Sequence, residues 1–133
     1  MLIRKKAFKL YQKASELENS VAQLSLAKMY VDGDGIDKDH NKAFALSKKL
    51  AKKYYPSGIN LLGCCYHVGI GTDINVPKAF ILYQKATDLG NDFAQYNLAL
   101  MYENGIVVKK DIDQAIYWYK NLLYKEIKML KVN

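Results

Sequence analysis

Cys64 and His67 stand three residues apart, a spacing that lets a thiol and an imidazole meet on one face of a helix. A thiol–imidazole nucleophile also needs an oxyanion stabiliser and a group that orients the imidazole, and the sequence offers neither. Two ligands also fall short of a zinc site. Cys65 adjoins Cys64, and vicinal cysteines in one helix point apart. With no third cysteine in the chain, a framework of internal disulfides is impossible. The pair therefore reads as a small wall thiol and a polar histidine near a helix end. Asp32-Gly33-Asp34-Gly35-Ile36-Asp37 has the look of a calcium loop. Counting Asp32 as the first ligand, Asp34 fits the third position. Ile36 then falls at the fifth, Asp37 where glycine is needed and Ala43 where glutamate is needed. Gly33-x-Gly35 and Gly69-x-Gly71 follow predicted helices rather than strands and lack the Lys-Ser/Thr of a phosphate loop. No catalytic residue, cofactor or metal ligand set is expected.

The elements that position these residues repeat. Lys6-Ala7-Phe8-Lys9-Leu10-Tyr11 returns as Lys42-Ala43-Phe44-Ala45-Leu46-Ser47 and as Lys78-Ala79-Phe80-Ile81-Leu82-Tyr83. A fourth copy is Gln114-Ala115-Ile116-Tyr117-Trp118-Tyr119, so the alanines recur every 36 residues. A second motif keeps that step: Ala22-Gln23-Leu24-Ser25-Leu26-Ala27 and Ala94-Gln95-Tyr96-Asn97-Leu98-Ala99, with a looser copy from Gly58 to Gly63. Both motifs have the i, i+4, i+7 spacing of one apolar helical face. Asn19-Ser20, Pro56-Ser57 and Asn91-Asp92 mark starts of first helices; Asp39, Asn75 and Asp111 precede second helices. Gly33, Gly69 and Gly105 end the first helices and let the chain reverse. Each repeat is thus a helical hairpin. Ala27, Gly63 and Ala99 hold one place where helices cross closely, and Ala7, Ala43, Ala79 and Ala115 another. Tyr30, Tyr66 and Tyr102, with Phe8, Phe44 and Phe80, are expected to fill the space between repeats. One hairpin cannot bury its apolar side, but stacked hairpins can, which predicts an all-α superhelical solenoid.

These residues resemble the Sel-one-like repeat (SLR) family, a branch of the tetratricopeptide-like α-solenoids. The resemblance rests on Ala22, Leu26, Ala27, Tyr30, Gly33, Gly35, Asp39, Lys42 and Ala43, and on Ala94, Leu98, Ala99, Tyr102, Gly105, Asp111, Ala115, Trp118 and Tyr119. It covers about residues 5 to 122. Val107 replaces the second glycine of its loop, and Ser47 replaces a tyrosine. Glu126 stands where Gly90 predicts a turn, so the last helix is expected to run on as a closing cap. The implied organisation is a half-repeat helix over 1–18, repeats over 19–54, 55–90 and 91–126, and a helical extension over 127–133. The array opens on a second helix, as a piece of a longer signalling or regulatory chain or as an unusual half-repeat. The resemblance implies a non-catalytic scaffold or adaptor that holds other proteins. Some arrays of this kind trail a kinase-like domain; this sequence carries no kinase motif.

The composition fits that reading. Half of the 133 residues are apolar and 25% are charged, which excludes a mainly disordered chain, a collagen and a disulfide-dense miniprotein. Charges arrive at Arg4-Lys5-Lys6, before any apolar run of signal-peptide length, and no stretch is long enough to cross a bilayer. Together with the cysteine pair this predicts a reducing compartment, most simply the cytosol. On the first helices, the side opposite the core presents Val21, Leu24, Lys28 and Val31, then Ser57, Asn60, Cys64 and His67, then Phe93, Tyr96, Leu100 and Glu103. In related solenoids that side lines a concave groove. The candidate partner-binding residues are Leu24, Lys28, Asn60, Cys64, His67, Phe93, Tyr96 and Leu100, and they suit an extended peptide or a partner helix. The rival reading follows from the net charge of +7: a basic module for nucleic acid or an acidic membrane surface. It is disfavoured, since 19 of the 20 basic residues are lysine and the aromatic positions are taken by packing.

Overall fold

The computed structural model describes residues 2–132. Among these residues there are seven helices and no strand: α1 (Leu2–Glu16), α2 (Ser20–Asp32), α3 (His40–Lys52), α4 (Pro56–Val68), α5 (Val76–Asp88), α6 (Asp92–Asn104) and α7 (Ile112–Val132). Each helix packs chiefly on its neighbours in the chain. The stack is therefore quasi-one-dimensional, as a repeat of two helices per step requires.

Local chemistry fixes the helix ends. The side chains of Asn19, Asp39, Asn75 and Asn91 cap α2, α3, α5 and α6 by accepting from the backbone N–H three residues on. Asp111 accepts from Gln114 N in the same way at α7. Tyr55 precedes α4 without a side-chain cap, and Pro56 opens that helix instead. Within each hairpin the residue that caps the second helix also donates its backbone N–H to the end of the first helix. Asp39 N donates to Tyr30 O at 2.9 Å, Asn75 N to Tyr66 O at 2.7 Å, and Asp111 N to Tyr102 O at 2.9 Å.

Packing follows the same step. Phe8 meets Tyr30 edge-on at 5.9 Å between ring centroids, Phe44 meets Tyr66 at 5.5 Å, and Phe80 meets Tyr102 at 5.9 Å. Each pair joins a second helix to the first helix of the following repeat, as expected from the sequence. Ala27, Ala43, Ala79, Ala99 and Ala115 are buried between helices. Gly58 lets α4 approach α3 so closely that a β-carbon there would lie 2.3 Å from Leu50 Cβ. At the next junction the small Ala86 and Ala94 hold the corresponding places, both fully buried.

Two buried polar side chains complete the seams. Gln23 donates to Ser15 O at 3.3 Å and to the Glu18 carboxylate at 3.2 Å, and it accepts from Lys53 Nζ at 2.7 Å. Gln95 donates to Trp118 O and to Asn121 Oδ1, each at 3.0 Å. These bonds offset the cost of burying an amide. Helix α7 runs through Glu126, as the missing turn glycine predicts. Between Leu123 and Leu130 it exposes Leu123, Tyr124, Ile127, Met129 and Leu130 alongside Glu126 and Lys128.

Candidate functional site

The twelve side chains expected on the first-helix stripe come from α2, α4 and α6, and the structure treats the three helices differently. On α6, Phe93 is 74% exposed and Tyr96 is 49% exposed, while Leu100 is half-buried. Tyr96 rests edge-on against Tyr119 of α7 at 6.0 Å, and the Tyr119 hydroxyl donates to the Glu103 carboxylate at 2.7 Å. On α2, Val21 and Lys28 are exposed and Leu24 is half-buried. On α4, Ser57, Asn60, Cys64 and His67 are all half-buried. Helix α4 meets α6 and its N-cap along this stripe. Asn97 Nδ2 donates to Asn60 Oδ1 at 3.1 Å, and Asn91 Nδ2 donates to Ser57 Oγ at 3.3 Å.

Cys64 and His67 converge on a third residue. The Tyr83 hydroxyl donates to Cys64 Sγ at 3.5 Å and lies 3.2 Å from His67 Nδ1. Burial pushes the Cys64 thiol above its ordinary pKa, against the opposing effects of the Tyr83 hydrogen bond and of the Lys28 ammonium nearby. Burial also holds Cys65 up at about 11 and raises Tyr83 well above a usual phenol. An activated cysteine needs the opposite shift, so the chemistry of this cluster is that of a closed polar wall. Among the described residues no group of three or more His, Cys, Asp or Glu is placed to hold a metal ion.

Gly63 sits at a close helix crossing, as expected; the residue that reading the sequence missed here is Tyr83, the ring that Gly63 faces. The Tyr83 ring lies where a β-carbon on residue 63 would come within 2.7 Å of Cε1. The signal was present: repeat 2 alone pairs glycine at this crossing with a large side chain, where repeat 1 has Ala27 and Ser47. The buried Gln23 and Gln95 were missed as well, although Ala-Gln recurs 72 residues apart at Ala22 and Ala94.

The comparisons with known proteins agree with this architecture. The Sel1 repeat pattern matches residues 4–19, 20–55, 56–91 and 92–121. The Sel1 repeat protein from Oxalobacter formigenes superposes with a TM-score of 0.77 at 34% identity, covering 87% of this chain and 47% of that one. The protective antigen c5321 of uropathogenic Escherichia coli, which displays an SLR fold, gives 0.76 at 30% identity over 85% of this chain and 24% of its own. Among curated proteins, human Protein sel-1 homolog 2 is 30% identical over 90% of this chain. The Arabidopsis thaliana ERAD-associated E3 ubiquitin-protein ligase component HRD3B is 33% identical over 91% of it. The chain spans only 17% and 22% of the lengths of those two relatives. Fold and seams together define an all-α solenoid of stacked helical hairpins. The chain belongs to the Sel1 repeat family, whose members serve in general as protein-interaction modules. None of the described helices is long and apolar enough to cross a membrane.

Proposed function

We propose that this array is a non-catalytic scaffold whose first-helix stripe takes an extended peptide or a partner helix. The observation that carries the reading is the exposure of Phe93 and Tyr96 on α6, next to the Asn60–Asn97 amide pair. Aromatic side chains on rigid helices bury large area at small entropic cost, and unfilled amide valences pair with a peptide backbone. Leu24, Lys28, Cys64, His67 and Leu100 complete the stripe, with the Tyr83 wall closing its middle. The two free thiols support a reducing compartment, which for this chain we take as the cytosol. The polyanion reading has less support. Arg4, Lys49, Lys53 and Lys125 are paired with carboxylates, and Lys42, Lys48 and Lys78 lie over aromatic rings.

The test is affinity capture followed by mass spectrometry, with the native chain and with Tyr96→Ala combined with Leu100→Ala. The double variant is expected to keep its helicity and to retain specific partners at least about tenfold less well, the scale of a lost aromatic anchor. Unchanged capture by the folded double variant overturns the stripe. Capture dominated by nucleic acid, with a steep dependence on salt, favours the basic module instead.

A further inference from the structure

The seams between repeats carry clefts built to one plan. One cleft, of about 330 Å³, lies between α1, α2 and α3, and another, of about 350 Å³, lies between α5, α6 and α7. Gln12, Glu16, Leu26, Tyr30 and Leu46 line the first; Gln84, Asp88, Leu98, Tyr102 and Trp118 line the second. Each residue of the second set stands 72 positions after its counterpart, two repeats on. At the middle seam Lys48 and Lys52 replace the amide and the acid. Neither cleft shares a residue with the first-helix stripe.

Besides Glu16 against Asp88 and Leu46 against Trp118, the two clefts differ in charge at the seat over the tyrosine ring. In the first, Lys42 of α3 places its ammonium 5.5 Å from the centre of the Tyr30 ring. At the middle seam Lys78 stands 4.7 Å from the Tyr66 ring. At the third, the corresponding residue is Gln114, which carries no charge. The Tyr102 ring is left without the cation its two counterparts have, and Asp88 has no ion pair among the described residues. Two further groups of this cleft's wall, the Thr87 hydroxyl and the Trp118 indole N–H, are shielded from water and have no hydrogen-bond partner among the described residues. Lys85, exposed at the rim, is the one basic residue lining it.

We propose that the cleft between α5, α6 and α7 binds a cationic side chain of a partner polypeptide, seated over Tyr102 in the place that Lys42 and Lys78 fill internally at the other seams. Ring and carboxylate attract the cation, which gains most where water is excluded. The apolar lining from Ile81, Leu98 and the Trp118 ring suits the aliphatic stem of a lysine or arginine, which a bare cation lacks. This second site is independent of the stripe reading, because it uses other residues and another ligand chemistry.

Trp118 is the only tryptophan, so its fluorescence reads the cleft directly. The full chain would be titrated with acetyl-arginine methylamide, acetyl-lysine methylamide and the neutral acetyl-norleucine methylamide at millimolar concentration. Expected is a saturable change with the two cationic probes and none with the neutral one. Gln114→Lys, which installs the residue found at the other two seams, is expected to weaken binding about tenfold or more, as is Asp88→Asn. Lys42→Gln is expected to open the first cleft, giving new probe-dependent NMR shifts at Leu26 and Leu46. Circular dichroism checks that each variant is folded. An equal response to the neutral probe, no response to either cation, or undiminished binding by folded Gln114→Lys overturns the proposal.

Discussion

The crossing of Gly63 under the Tyr83 ring shows how one missing methyl group shapes a repeat. Alanine is the better helix former by up to about 1 kcal/mol, but here its β-carbon would push into the ring. Overpacking of this kind costs about 1–3 kcal/mol. Gly63→Ala is therefore expected to lower stability by up to about 2 kcal/mol in chemical denaturation. In a Tyr83→Ser background, which copies the Ala27–Ser47 pair of repeat 1, the same change is expected to cost nothing or to stabilise. A double-mutant cycle measures that coupling. The neighbouring thiols give a pH signature. The folded state holds Cys65 near 11, above its ordinary value of 9.0, and raises Cys64 and Tyr83 in the same direction. A pKa raised by folding gives stability that is complete below the unfolded value and lost as pH climbs through the folded one. The denaturation midpoint is expected to fall between pH 9 and about 11. Cys65→Ala is expected to remove part of that fall.

The helices themselves were legible because their signals are local and repeated. Capping residues, terminator glycines and the alanine step each act within a few residues, so four copies reinforce one reading. The proposed stripe was legible only in part. Helical phase placed Asn60, Cys64 and His67 on one side of α4, but not the Tyr83 hydroxyl that comes from another helix to close that side. Glu126 gave a correct expectation from an incomplete rule. Glu18 and Tyr54, at the positions equivalent to Gly90, turn the chain with φ of 62° and 57° and no glycine. What 127 onwards lacks is the capped, small-residue start of another first helix. The loops show a related tolerance. Gly35 and Gly71 adopt positive φ, and at Gly71 a β-carbon would lie 2.3 Å from His40 O. Val107 takes the equivalent place with φ of 68°, a costly conformation for a β-branched residue. Val107→Gly is expected to stabilise the α6–α7 hairpin by about 1 kcal/mol, measured as a higher denaturation midpoint.

At the scale of the whole molecule, cohesion comes from a chain of seams, each contributed by adjacent helices. The centre is better held than the ends: α4, α5 and α6 each carry several buried side chains, whereas α1 carries none. Stability in such a stack is a sum of unit and nearest-neighbour terms, so opening starts at the ends. A uniform step suggests units that trade places freely, yet the fit of Leu50 against Gly58 says otherwise. That junction is keyed, a bulky tooth in an empty notch, and the next is Ala86 against Ala94. Excising residues 55–90, one whole period, would preserve the register while driving the Leu50 tooth into Ala94. The shortened protein is expected to melt well below the parent, and Leu50→Ala is expected to recover part of the loss. The order of the hairpins is thus written into their mating surfaces, and shuffling them carries a penalty even when their spacing is kept.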